Sequence, residues 1–199
     1  MYLNELLFSE FITNKEIMWL GIDFSKAVLT KNGFDFPVDV LYRYFNDWNM
    51  LVISDQKKYD IRMAFRKPMM HYDLSFITKK NKSVKLSQLM VEHTTIRNQF
   101  SEEQIVKYVK ELSMPTQTRF SLLLLVESFD QKSKTATIWV IIIENESSEV
   151  ALCEKFMEAP SGFGLRNYWG RTFYNIFFNI RKRDFLRWTN LVQPDNLIK

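Results

Sequence analysis

The chain has one cysteine, Cys153, and a lone thiol rules out an internal disulfide framework and any cysteine-based zinc cluster. Histidine is almost as scarce. His71 and His93 are too few for a multi-histidine metal site, so neither a metal nor a cofactor is expected. Five glycines and five prolines do not make a collagen-like repeat or a low-complexity linker. No apolar run reaches the roughly 18 residues of a membrane span. The opening stretch, MYLNELLFSEFITNKE, carries Glu5 and Glu10 and no basic n-region, so it does not read as a signal peptide. With Met1 as the native start the expected compartment is the cytoplasm; a trimmed start would leave the periplasm or envelope. Walker-type loops, EF-hands, H-E-x-x-H, C-x-x-C and G-x-S-x-G are missing too, which lowers the expectation of an enzyme.

What is present is mostly core. A chain of 199 residues fits one domain, taken as residues 1–199. Hydrophobic residues make up 46% and aromatic residues 15%, with 17 phenylalanines, enough to bury a sizeable interior. The net charge of +4 is mild but unevenly placed. From Pro160 onward there are Arg166, Arg171, Arg181, Lys182, Arg183, Arg187 and Lys199 against only Asp184 and Asp195. The rest of the chain is balanced, so the excess sits on the C-terminal element, where it could face an anionic partner or solvate a helix end.

The pattern of elements predicts an α+β fold, a mainly antiparallel sheet with helices packed on it. Leu3, Leu6, Leu7 and Phe11 predict a short helix over 3–12. EIMWLGID, Glu16 to Asp23, reads as a strand buried on both faces that could run on to Leu29 before a turn at Asn32-Gly33. Asp35 and Pro37 would open a helix with Val38, Leu41, Tyr42, Phe45, Trp48 and Val52 on one side. A second helix is expected from Lys57 to Arg66, stopping before Pro68. His71 to Thr78 alternates like a half-buried strand, Lys79 to Lys82 reads as a solvated turn, and Val84 to Val91 fits strand or helix. Ser101-x-x-Gln104 is a capping box opening a helix with Ile105, Val109 and Leu112 inward, ended by Pro115. Phe120–Glu127 and Thr137–Glu144 form the clearest hairpin, extended by Glu149–Phe156.

The segment from Ser161 to Arg183 organises the rest. Leu165, Trp169, Phe173, Ile176, Phe177 and Ile180 fall on one face of a long amphipathic helix that should dock on the hairpin. Arg187 would break that face, so an irregularity is expected near Arg183-Asp184. Tyr174 and Phe178 lie off the core stripe. Either the tail Phe185–Leu197 covers them, or they form an exposed aromatic patch that binds a partner. Arg181, Lys182 and Arg183 suit a helix C-terminus, where cations offset unpaired carbonyls.

Other chemistries find little support in individual residues. Gly162-x-Gly164 before a helix invites comparison with phosphate loops, but the third glycine of G-x-G-x-x-G falls at Asn167, and a glycine turn explains it better. Asp23 before Ser25 reads as a turn or cap residue. Cys153 reads as a buried thiol in mid-strand. A hydrolase or transferase would have to use His71 or His93 with nearby carboxylates, and neither has a supporting local signature.

Two segments together, Trp19 to Ser25 (WLGIDFS) and Gly162 to Gly170 (GFGLRNYWG), with the apolar hairpin ending in Trp139 to Ile143 between them, resemble a family of uncharacterised bacterial proteins of about this length. The resemblance implies an envelope role, carries no activity, and marks Arg166, Asn167, Tyr168 and Trp169 for attention. The reading is a non-catalytic binding module. If it holds an apolar or amphipathic small molecule, Trp19, Phe45, Trp48, Trp139 and Trp169 should line a cavity with Arg166 near its mouth. If it holds a protein partner or a second copy, the core should be filled, with a patch around Tyr174, Phe178, Arg181 and Lys182. Nucleic acid is disfavoured because the wheel spreads the basic residues.

Overall fold

A computed structural model describes residues 1–30, 38–91, 99–112, 114 and 117–193. In chain order the elements are β1 (Tyr2–Leu3), α1 (Glu5–Thr13), β2 (Glu16–Asp23), β3 (Val28–Thr30), α2 (Val38–Ser54), α3 (Ile61–Phe65), β4 (Met69–Tyr72), α4 (Ser75–Ser83), α5 (Leu86–Leu89) and β5 (Met90–Val91). They are followed by α6 (Glu102–Lys110), β6 (Phe120–Asp130), β7 (Thr135–Glu144), β8 (Glu149–Glu158), α7 (Leu165–Asn179), a π-turn (Ile180–Asp184) and α8 (Phe185–Val192). The fold is α+β, as expected. One sheet runs β1-β8-β7-β6-β2-β4, and β3, paired with β5, lies beside the far end of β6. The long β6–β7–β8 meander is antiparallel; β2 and β3 run parallel to β6.

Nearly every residue of β6, β7 and the first half of β8 is buried, because helices cover both faces. On one face α1, α2, α3, α7 and α8 deliver Phe11, Trp48, Phe65, Trp169, Phe173 and Trp188 into a single aromatic core. On the other, α4 and α6 lay Ile77, Ile105 and Val109 over Met18, Leu125 and Ile141. Each hairpin is closed by an acidic side chain that takes up turn donors: Asp130 accepts from Lys132 N–H at 2.9 Å, and Glu144 from Ser147 N–H at 2.8 Å. Lys134 and Ser148 supply the positive φ of the two turns.

Several elements depart from expectation. The N-terminal residues split: Tyr2 and Leu3 pair with β8, and Asn4 caps α1 by accepting from Leu7 N–H at 3.2 Å. Leu6 is consequently 72% exposed, while Phe8 and Phe11 go inward. The helix expected over Lys57–Arg66 begins only at Ile61, where Asp60 caps it. The strand expected over His71–Thr78 ends at Tyr72, paired with β2 only as far as Trp19. Asp73 then accepts from Ser75 N–H at 2.9 Å and starts α4. Lys79 to Lys82 are therefore helical, and Asn81 is buried rather than solvated. Residues 84–91 divide into α5 and β5. The Asn32-Gly33 turn, the Asp35–Pro37 helix start and Pro115 lie outside the described residues.

The C-terminal helix shows why Arg187 does not spoil the core. A π-turn adds one residue to the turn and rotates the phase of all that follows. Phe185 and Trp188 thereby face inward, and Arg187 turns to Glu154, with its Nη2 at 2.6 Å and 2.7 Å from the two carboxylate oxygens. Trp188 Nε1–H donates to the same carboxylate at 2.5 Å. The tail is thus spent on the core against Phe8 and Phe65. Its described part, up to Gln193, does not shield Phe178, which is 46% exposed, and the remainder of the expected tail lies outside the described residues.

Candidate functional site

The predicted small-molecule set does not meet around an open space. Trp19, Trp48 and Trp169 are buried on the α7 face of the sheet, and the volume between them is occupied by phenylalanine rings. Phe24 stacks on Phe45 with centroids 4.1 Å apart, and Phe129 stacks on Trp169 at 4.4 Å. Trp139 lies on the opposite face, so the sheet separates it from the other three. It donates its Nε1–H to Glu127 at 2.7 Å, and Lys155 reaches the same carboxylate at 3.0 Å. The Arg166–Trp169 segment does meet Trp48, whose Nε1–H donates to the Arg166 carbonyl at 2.8 Å. Tyr168 packs edge-on against Trp169, Arg166 points outward 3.7 Å from Asp47, and Asn167 donates its side-chain N–H to the Phe163 carbonyl.

The outer face of α7 is different. Tyr174 and Phe178, four residues apart, stack with centroids 6.0 Å apart and ring planes 22° from parallel. Cations flank them. The Arg171 guanidinium lies 4.2 Å from the Tyr174 centroid, Lys58 5.8 Å from the same ring, and Lys182 5.8 Å from Phe178. Among the described residues, Lys58, Arg171, Arg181 and Lys182 have no acidic partner within ion-pair distance. The acidic groups nearby are engaged elsewhere: Asp184 with Arg183 at 2.9 Å, and Glu158 with the Asn179 amide at 2.8 Å. Burial raises the Glu158 pKa. The result is a partly exposed aromatic pair flanked by cations that, among the described residues, have no ion-pair partner.

The catalytic alternative fares less well in geometry. His71 pairs with Glu16 at 3.0 Å on the exposed edge strand β4, and His93 lies outside the described residues. Cys153 is buried in β8, away from His71 on β4 at the other side of the sheet, and burial pushes its thiol up to about 12. A thiol held protonated in this way is a poor nucleophile. Ellman's reagent at pH 8 is therefore expected to react with native protein at least about a hundredfold more slowly than with protein in urea. The same shift makes folding pH-dependent. The unfolded thiol ionises near 9.0 and the folded one near 12, so this group's stabilising share is complete below pH 9 and lost as pH rises towards 12. Cys153→Ala should flatten that alkaline loss in a thermal melt series. Among the described residues no group of three or more His, Cys, Asp or Glu is placed to hold a metal ion.

One polar constellation was not legible as a unit. At the end of β2 the backbone turns off the sheet and then rejoins β6 as β3. The turn is clamped by two buried amides. Asn49 accepts from Ile22 N–H at 2.5 Å, and Asn81 accepts from Phe24 N–H at 2.8 Å while donating to the Ile22 carbonyl at 2.9 Å. Gly21 stands at φ +115°, and a Cβ there would come within 2.6 Å of the Asn49 oxygen, so glycine is required. Asp23 accepts from Ser25 N–H at 2.7 Å, as a turn residue should. It is also fully buried, accepts from the Tyr108 hydroxyl, and has the Lys80 ammonium 3.6 Å away. Lys80 donates to that hydroxyl in turn. Burial lowers the Lys80 pKa, and burial together with the Asp23 charge drives the phenol well above its ordinary range. This arrangement secures a broken strand.

Comparison with known proteins adds little. No family model and no curated protein matches the chain. Among solved structures, a Xanthomonas campestris protein of the DUF330 family is similar over 40% of this chain and 51% of its own length, at 12% identity and a TM-score of 0.24. A candidate neuraminyllactose-binding hemagglutinin homologue from Helicobacter pylori is similar over 91% of both chains, at 9% identity and a TM-score of 0.38. At these TM-scores neither likeness bears on what this protein does. Among the described residues no helix is long and apolar enough to cross a membrane.

Proposed function

We propose that the protein is a non-catalytic binding module that holds an anionic, amphipathic partner on the outer face of α7. The observation that carries this reading is the stacked Tyr174–Phe178 pair with Arg171, Lys58 and Lys182 around it. The filled aromatic core favours a surface site over an internal ligand cavity. Flat aromatic faces lose little conformational entropy on docking, and nearby cations supply both steering and desolvated contacts. The site thus matches a partner that offers carboxylates or phosphates beside apolar groups.

A labelled synthetic helix, with glutamate on one face and leucine and phenylalanine on the other, probes this face by fluorescence anisotropy. Binding should be saturable, weaken with salt, and fall at least about tenfold in Tyr174→Ala/Phe178→Ala, as expected for loss of two aromatic anchors. Equal affinity of the double variant would place the site elsewhere. Both side chains are partly exposed, so the variant is expected to keep the wild-type circular dichroism spectrum.

A further inference from the structure

The binding face of α7 does not stop at Tyr174. On a helical wheel Asn167, Arg171, Tyr174 and Phe178 fall within an arc of about 60°, and Lys182 continues the line beyond Phe178. At the other end of the same stripe stands Phe163, 96% exposed at the tip of the turn that precedes the helix. The turn is built rather than loose. Gly162 and Gly164 adopt φ +112° and +78°, Ser161 N–H donates to the Tyr168 carbonyl at 3.2 Å, and the Asn167 amide holds the Phe163 carbonyl at 3.2 Å. A benzyl side chain is thus presented to solvent by a fixed backbone just ahead of a helix that carries Phe178 about 20 Å from its first residue at 1.5 Å per residue.

We infer that this stripe docks in plane on an anionic lipid surface, with Phe163 and Phe178 entering the headgroup–acyl boundary and Arg171, Arg181 and Lys182 meeting the phosphates. The inference rests on the binding reading of α7 and names its partner. Three features favour a bilayer over a protein groove. The exposed Phe163 and the Tyr174–Phe178 pair lie far apart along the helix instead of forming one contiguous patch, which suits a fluid surface. The cations lie between and beside them, the pattern of helices that lie in membrane interfaces. Over 161–193 Arg166, Arg183 and Arg187 are paired with Asp47, Asp184 and Glu154, whereas among the described residues Arg171, Arg181 and Lys182 have no acidic partner within ion-pair distance. The three unpaired cations of the stripe are thus left to meet a negative surface.

Vesicle co-sedimentation tests it directly. The full chain should bind vesicles of three parts phosphatidylcholine to one part phosphatidylglycerol and leave pure phosphatidylcholine vesicles unbound. Phe163→Ser, a change outside the Tyr174–Phe178 pair, should weaken binding about tenfold. Arg181→Glu/Lys182→Glu should abolish it. All these side chains are exposed, and an unchanged urea midpoint checks folding. Failure to bind anionic vesicles while the acidic peptide still binds would overturn the lipid assignment and leave the binding reading standing. Failure with both would remove both. Vesicle binding that responds to the charge reversals but not to Phe163→Ser would also overturn the proposal, since it would show adsorption without insertion.

Discussion

Lys80→Met is expected to lower the free energy of unfolding by about 3–5 kcal/mol, the usual cost of removing one partner from a buried ion pair. Asp23 is wholly inside, beneath α4 and α6, and Lys80 is the cation beside it, 3.6 Å away and 23% exposed at its side chain. Without the ammonium, the carboxylate either stays charged in a poor dielectric or takes up a proton, and both are costly. The Tyr108 hydroxyl and the Ser25 amide still donate to it, which sets the lower end of the range. Urea unfolding checks the figure. Asp23→Asn/Lys80→Met should recover a large part of the loss, because the unpaired charge is gone. If the single variant were as stable as the wild type, the constellation would not secure the broken β2–β3 strand.

Trp169→Ala should cost a similar amount, about 3–5 kcal/mol, as large-to-small changes of buried aromatics do. The indole is completely buried and stacked on Phe129, with Tyr168 edge-on at 5.3 Å, so its removal leaves a void that rings fixed on three elements cannot readily fill. Trp169→Phe should cost appreciably less. This pair of variants also separates the two roles open to the residue. A core role predicts that any loss of partner binding tracks the loss of folded protein. A ligand-contact role predicts that Trp169→Phe keeps its stability and still loses binding.

The parts of the molecule that could be read along the chain are those where one local period carries the information. β2 begins and ends at the predicted residues because EIMWLGID is apolar throughout and only a strand covered on both faces buries all of it. The capping box at Ser101 is present with both of its bonds, since its geometry spans only three residues. The stripe Trp169, Phe173, Ile176, Phe177 and Ile180 is buried as the wheel requires. Tyr174 and Phe178 were placed off that stripe by the same arithmetic, and their partners Arg171 and Lys182 lie within one turn of them.

What the chain concealed depended on distant segments. Tyr72 reads as the start of a longer strand, yet β4 ends there because the chain turns at Asp73 into α4, and the rest of β2 on that side is met by the Asn49 and Asn81 amides. Asn81 looked like a solvated turn residue, but α4 carries it under the sheet to hold Ile22 and Phe24. Asp23, Lys80 and Tyr108 are far apart in sequence and share no motif. Only the packing of α4 and α6 on one face brings them together. The five-residue cavity set failed for a related reason: alternation along a strand is visible in the sequence, but which face of the sheet Trp139 shares with which helix is not. Local periodicity therefore determined the elements, their inward faces and the exposed aromatic–cationic stripe of α7. The tertiary structure decided which buried charges are paired, that the aromatic core is filled, and that α8 packs on α1 rather than over Phe178, because those outcomes depend on contacts between residues that no local pattern links.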